Sequence, residues 1–218
     1  MKTKKIIFYV LMFLPLAAVL IALQFLPEQI PAHYNFSGQV DRWGSKYETF
    51  IFPAVTIVMG CFMLGMARYS AKNEESGKNN EKICIIAGIL SLILFNAMTG
   101  YFLYMDFNGA ENISSVEIDV NRLIFGILGI TMIILGNVMP KLRINWLIGL
   151  RTSWSMKNED TWKRSQRFGG ISLIVGGIAM IIISILTQGT VCLICAMGVI
   201  VCLVVVDICY TYKIAKKY

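Results

Sequence analysis

His33 is the single histidine of this chain, and it stands in a polar stretch eight residues before Asp41. An imidazole there can hold a metal ion with Asp41 or an acid of the 106–119 stretch, or it can hydrogen-bond Asp41 and fix a loop. The second role needs only one partner, so no metal site is expected. Another centre of chemistry is the stretch 136–170, where Lys141, Arg143, Arg151, Lys163, Arg164 and Arg167 alternate with Trp146, Trp154 and Trp162. Such a surface can take up a phosphate, an anionic lipid headgroup or an acidic protein, while the tryptophans alone could be interfacial anchors. Arg151 lies between the turn residue Gly149 and Trp154, where a guanidinium fork can meet Glu159 or a ligand. Asp207 is the only carboxylate deep in an apolar run, either paired with Lys213 or snorkelling, or else a proton or ion site. Cys61, Cys84, Cys192, Cys195, Cys202 and Cys209 also fall in apolar runs, where cysteine packs as a small apolar residue. No phosphate loop, metal cluster or nucleophile with a base beside it can be found, so neither an enzyme nor a cofactor is expected.

The elements that position these residues follow from composition. Of 218 residues, 56% are hydrophobic and 15% charged, which places the chain in a bilayer. Apolar runs at roughly 6–26, 51–67, 83–104, 123–139, 168–186 and 191–210 are each long enough to cross about 30 Å of hydrocarbon as a helix. The first run is too long for a signal peptide and lacks a small-residue cleavage site, so it is expected to stay as a helix. Pro15 should kink the first span, Pro53 suits the first turn of the second, and Pro140 should stop the fourth. Asn96 with Gly100, and Ser172 with Gly176, have the spacing that lets helices approach closely.

Lys and Arg divide 17 to 3 between alternate loops, with the larger share at the two termini, 68–82 and 141–167. The positive-inside rule therefore puts both termini in the cytoplasm of a multi-pass protein of the cell membrane. The outer side carries Glu28, Asp41, Glu48, Asp106, Glu111, Glu117 and Asp119 against Arg42, Lys46 and Arg122. The net charge of +7 thus reflects topology and affinity for anionic lipids, and implies no direct nucleic-acid partner.

The two polar loops share an ordered set of residue types. The outer loop (27–50) has Pro31, Asn35, Gly38, Trp43, Lys46, Glu48, Thr49 and Phe50, and the inner loop (136–170) has Pro140, Asn145, Gly149, Trp154, Lys157, Glu159, Thr161 and Trp162. Each follows the first span of its half, so the chain reads as two inverted three-helix halves, 1–120 and 121–218. The prolines at 27 and 31, with Gly38 and Gly44, make the outer loop an ordered small structure. Asn158, followed by Glu159 and Asp160, reads as the N-cap of a helix that runs into the fifth span.

The outer stretch Pro-x-His-Tyr-Asn-x-x-Gly-x-x-Asp-x-Trp-Gly-Ser-Lys (31–46) resembles the small extracytoplasmic domain that opens many bacterial membrane proteins of the Sdp immunity (SdpI) family. The inner stretch Gly-Asn-x-Met-Pro-Lys-x-Arg-x-Asn-x-x-x-Gly-x-Arg-Thr-x-Trp-Ser-x-x-Asn-Glu-x-x-Trp-x-x-x-x-Arg-Phe-Gly-Gly (136–170) is similar to that family's cytoplasmic signature. The resemblance covers nearly the whole chain and implies an all-α polytopic fold. It also implies immunity to a secreted membrane-active peptide toxin met on the outer face and, in some members, retention of a cytosolic repressor at the membrane. The expected ligand residues are His33, Tyr34, Asn35, Gly38, Asp41, Trp43, Gly44 and Lys46 outside. The functional residues expected in the inner loop are Asn137, Lys141, Arg143, Asn145, Gly149, Arg151, Trp154, Asn158, Glu159, Trp162 and Arg167. The alternative is a small transporter or lipid-handling protein, which inverted halves suit.

Overall fold

The computed structural model describes residues 2–35, 38–72, 77–113 and 117–218. Its helices are α1 (Lys2–Ala22), α2 (Ile51–Lys72), α3 (Gly77–Phe107), α4 (Val120–Val138), α5 (Glu159–Leu186) and α6 (Gly189–Lys217). All six are long and apolar enough to cross a membrane, and the expected all-α polytopic fold is what the chain adopts. A backbone in hydrocarbon must satisfy its own N–H and C=O groups, which the helix does within one segment. Large apolar side chains such as Val58, Val175, Ile185 and Val201 face outward, where lipid rather than protein covers them.

Local signals set the helix ends. The Asn158 side chain accepts from Thr161 N while the Thr161 hydroxyl accepts from Asn158 N, a reciprocal cap that starts α5 well before its apolar run. Pro140 lies in a 3-10 turn, Met139–Lys141, that ends α4 at Val138. Pro15 is buried within α1, which continues past it.

The helices form two groups of three. In the first, Phe8, Met12, Ala67, Ile85 and Leu92 make the core, and Asn96 Nδ2 of α3 donates to Leu11 O of α1 at 2.8 Å. In the second, α4 and α5 touch backbone to backbone. A Cβ at Gly129 would lie 2.7 Å from Gly177 O, and one at Gly136 would lie 2.5 Å from Gly170 O. This glycine seam, repeating every seven residues on both helices, replaces one of the close approaches expected from spacing. Gly100 faces open space, whereas Gly176 does pack, against Leu203 of α6. The tightest pair is α2 with α3 in the first group and α4 with α5 in the second.

Two strands, β1 (Gln29–Tyr34) and β2 (Val40–Ser45), pair antiparallel between α1 and α2, with Pro31 opposite Trp43 and irregular register around His33. Asn35 N donates to Gln39 O at 2.8 Å and Gly38 N to Asn35 O at 2.9 Å. Gly38 has φ +77°, a left-handed conformation that glycine adopts without steric cost. The inner loop from 142 to 158 carries turns and no strand. The two motif copies therefore share residue types but not local structure.

Candidate functional site

The outer cap is built from the hairpin and the connection between α3 and α4. Val40 N donates to Glu111 O at 2.9 Å and Ile113 N to Gly38 O at 2.8 Å, so the connection lies along the hairpin as a further edge. Tyr34 Oη donates to Ala110 O at 3.0 Å. Burial, with the nearby Asp106 charge, pushes this phenol up to about 12, so it stays a hydrogen-bond donor at any physiological pH.

The outer cations Arg42, Lys46 and Arg122, like the imidazole of His33, are engaged inside the molecule. Arg42 forks onto Glu48 at 3.1 and 2.9 Å, Lys46 meets Glu28 at 2.8 Å, and His33 Nδ1 lies 2.6 Å from Asp41 Oδ1. Arg122 donates to Ser184 O and Ile185 O, both at 2.8 Å, and so satisfies the open carbonyls at the end of α5. Asp119 caps α4 through Arg122 N and also accepts from Gly189 N at 2.6 Å.

Beneath the hairpin is a cavity of about 400 Å³, enclosed by β1, the start of α2, the outer end of α3 and Ile113. Its walls are mainly apolar, with Phe52 and Phe102 stacked at 4.7 Å. Asp106 lines it, only 4% exposed, and its carboxylate has no hydrogen-bond or ion-pair partner among the described residues.

Of the outer residues expected to bind a ligand, His33 and Tyr34 border this cavity. Asn35 and Gly38 shape the turn, Asp41 is hydrogen-bonded to His33, Lys46 is ion-paired with Glu28, and Trp43 is exposed on β2. Gly44 has no room for a side chain, because a Cβ would collide with the Glu48 carboxylate and with Ala32. Sequence reading did not single out Asp106, which it counted only among the outer acids, nor the Arg42–Glu48 fork. The one available signal was a carboxylate at the very end of an apolar run.

The inner loop is organised by Asn145, which is buried. Its Oδ1 accepts from Leu147 N and Ile148 N, both at 2.8 Å, and its Nδ2 donates to Arg143 O at 2.8 Å and Ile148 O at 3.1 Å. Gly149 follows at φ +112°, and a Cβ there would lie 2.6 Å from Gln166 Oε1. Gln166 is matched to Leu150 through both backbone groups, at 3.0 and 2.9 Å. The loop is tied to α3, where Asn79 donates to Lys141 O and Asn80 accepts from Arg143 N at 3.3 Å. It is tied to α6 by Lys157 Nζ on Ala215 O at 2.9 Å and by Trp154 edge-on to Tyr212 at 5.2 Å. Ile148 packs against the core of the first helix group and against the cluster of Ile83, Met139, Leu142 and Trp162.

This arrangement changes the expected roles of several residues. Glu159 is held by Lys163 at 3.0 Å, not by Arg151, because the two residues sit one turn apart on α5. Arg151 reaches Leu147 O at 3.4 Å and is otherwise exposed. Trp162 is a core residue whose indole donates to Leu142 O at 2.9 Å, whereas Trp146 is the most exposed of the three. Asn137, Lys141, Arg143 and Arg167 are exposed. Asp207 lines a second cavity, about 280 Å³, with Gly149, Leu150 and Leu173. Its Oδ1 has no hydrogen-bond partner among the described residues, so the expected pairing with Lys213 is not formed at that atom.

Residues 141–210 match the model of the SdpI/YfhL protein family, and residues 10–57 match a domain of unknown function, DUF1648. The immunity protein SdpI of Bacillus subtilis (strain 168) is 30% identical to this chain over 218 residues, covering 98% of it and 97% of that protein. The chain belongs to the SdpI/YfhL family. No solved structure matches it. For an SdpI/YfhL member the geometry has a clear division: the family model falls on the inner loop with α5 and most of α6, while the outer cavity lies within and beside the N-terminal match.

Proposed function

We propose that this protein protects the cell that makes it from a secreted membrane-active peptide, which it meets at the outer cap. The carrying observation is similarity along the full length to a protein named for immunity. The ordered hairpin and the cavity beneath it support an outer recognition site. Both termini are taken as cytoplasmic, on the strength of the cation asymmetry.

On the inner face, Arg143, Arg151 and Arg167 are open to anionic lipids and to an acidic surface of a cytosolic partner such as a repressor. The protein acts by binding rather than by catalysis, a reading supported by its similarity to a protein named for immunity. The halves 1–120 and 121–218 are proposed as its structural units.

Expression in a sensitive bacterium, challenged with secreted membrane-active peptides, tests the proposal. Survival against at least one peptide is expected. Sensitivity to all of them, with the protein present in the membrane, overturns it. Uptake of the same peptide into vesicles, with no gain in survival, would indicate a transporter instead.

A further inference from the structure

We propose that the outer cavity is a receptor for an ammonium group carried on an apolar body, such as a lysine or N-terminal amine within a hydrophobic peptide, with Asp106 as its counter-ion. The inference rests on the immunity reading above and names the chemistry of its ligand. A carboxylate at 4% exposure and without a hydrogen-bond or ion-pair partner among the described residues is costly in its charged form unless a cation or donor comes to it. The protein's own outer cations are not available, because Arg42, Lys46 and Arg122 are each engaged elsewhere. A cation that pairs with Asp106 would therefore be supplied by the ligand.

The surroundings define the rest of that ligand. Ile30, Pro31, Phe52, Phe102 and Leu103 offer apolar contact, and an aromatic wall beside a carboxylate favours an ammonium over a neutral group. The cavity volume of about 400 Å³ fits one or two side chains rather than a folded partner. Access is from the outer face, whose excess of acids draws cationic peptides toward it.

The test uses the full chain in nanodiscs of neutral phosphatidylcholine, titrated with 2-phenylethylammonium and with its uncharged counterpart 2-phenylethanol. The ammonium should bind more tightly, and Asp106→Asn should weaken it by about tenfold or more while leaving the alcohol unchanged. Glu111→Gln, an exposed outer acid, should alter neither. Equal binding of the two probes, or an equal loss in Glu111→Gln, overturns the assignment.

Leu103→Trp fills the cavity without changing charge and should weaken both probes; unchanged binding there also overturns it. Peptide survival of the Asp106→Asn strain separates this inference from the function. Lost amine binding with full survival leaves the site standing and removes it from protection. Lost survival with unaltered amine binding leaves protection standing and overturns the ammonium site.

Discussion

The side chain of Gln166, fully buried in α5, hydrogen-bonds both the N–H and the C=O of Leu150 in the inner loop. A helix residue here acts as a strand neighbour would: it satisfies the Leu150 N–H and shares the Leu150 C=O with the Ser155 hydroxyl. Gly149 must be a glycine partly for this reason, since a Cβ would occupy the space of the Gln166 carboxamide.

Gln166→Leu keeps the volume and removes both bonds. It should lower stability by about 1 kcal/mol or more, because the Leu150 N–H loses its partner while Leu150 O keeps the Ser155 hydroxyl as donor. Thermal unfolding in detergent measures the loss, with helix content at low temperature unchanged. A melting curve identical to that of the unaltered protein would remove Gln166 from the account of the loop.

The glycine seam between α4 and α5 predicts a sharp contrast between positions. Gly136→Val should destabilise by about 1–3 kcal/mol through overpacking, since its Cβ meets the Gly170 carbonyl. Gly198→Ala in α6, where nothing lies within 4 Å, should stay within about 0.5 kcal/mol. Equal effects at the two positions would mean that α4 and α5 do not cross at these glycines.

Topology can be read with reporters. A periplasmic phosphatase fused after Tyr218 should be silent, and the same enzyme inserted after Gly109 should be active. Each Lys or Arg beside the anionic inner leaflet contributes roughly 1 kcal/mol to the orientation. An active C-terminal fusion would reverse the faces assigned to both loops.

Arg151→Lys should lower partner binding or protection, with expression and insertion normal, because a lysine cannot reproduce a guanidinium fork. Lys163→Arg should be silent, since its role is the exposed ion pair with Glu159, which solvent screens and an arginine can also make. If Arg151→Lys is neutral as well, the inner surface attracts its partner through charge alone.

Local signals were legible wherever they were self-contained. The Asn158 cap, the stop at Pro140 and the His33–Asp41 pair each depend on residues within eight positions of one another, and each stands as read. What needed the tertiary arrangement was not legible. Pro31 inside a strand argued against a hairpin, and tolerating it takes an irregular two-stranded edge that local propensity does not announce. The glycine seam was hidden because spacing along one helix does not reveal which face meets another helix. Arg151 lost Glu159 to Lys163, a competitor on the same helix face. Asp106 looked like one acid among several, and its isolation follows only from where β1 and α2 lie around it.

The hairpin is also incomplete by itself. Its outer edge is filled by Glu111 and Ile113, and Tyr34 is anchored on Ala110, all contributed by chain far beyond the stretch 10–57 that recurs as a family domain. The segment that recurs in sequence is thus smaller than the body that folds. A chimera joined at residue 57 would import the strands but leave behind the edge that seats them and the carboxylate beneath. A transplant of the outer cap must therefore carry residues up to 119 to arrive whole.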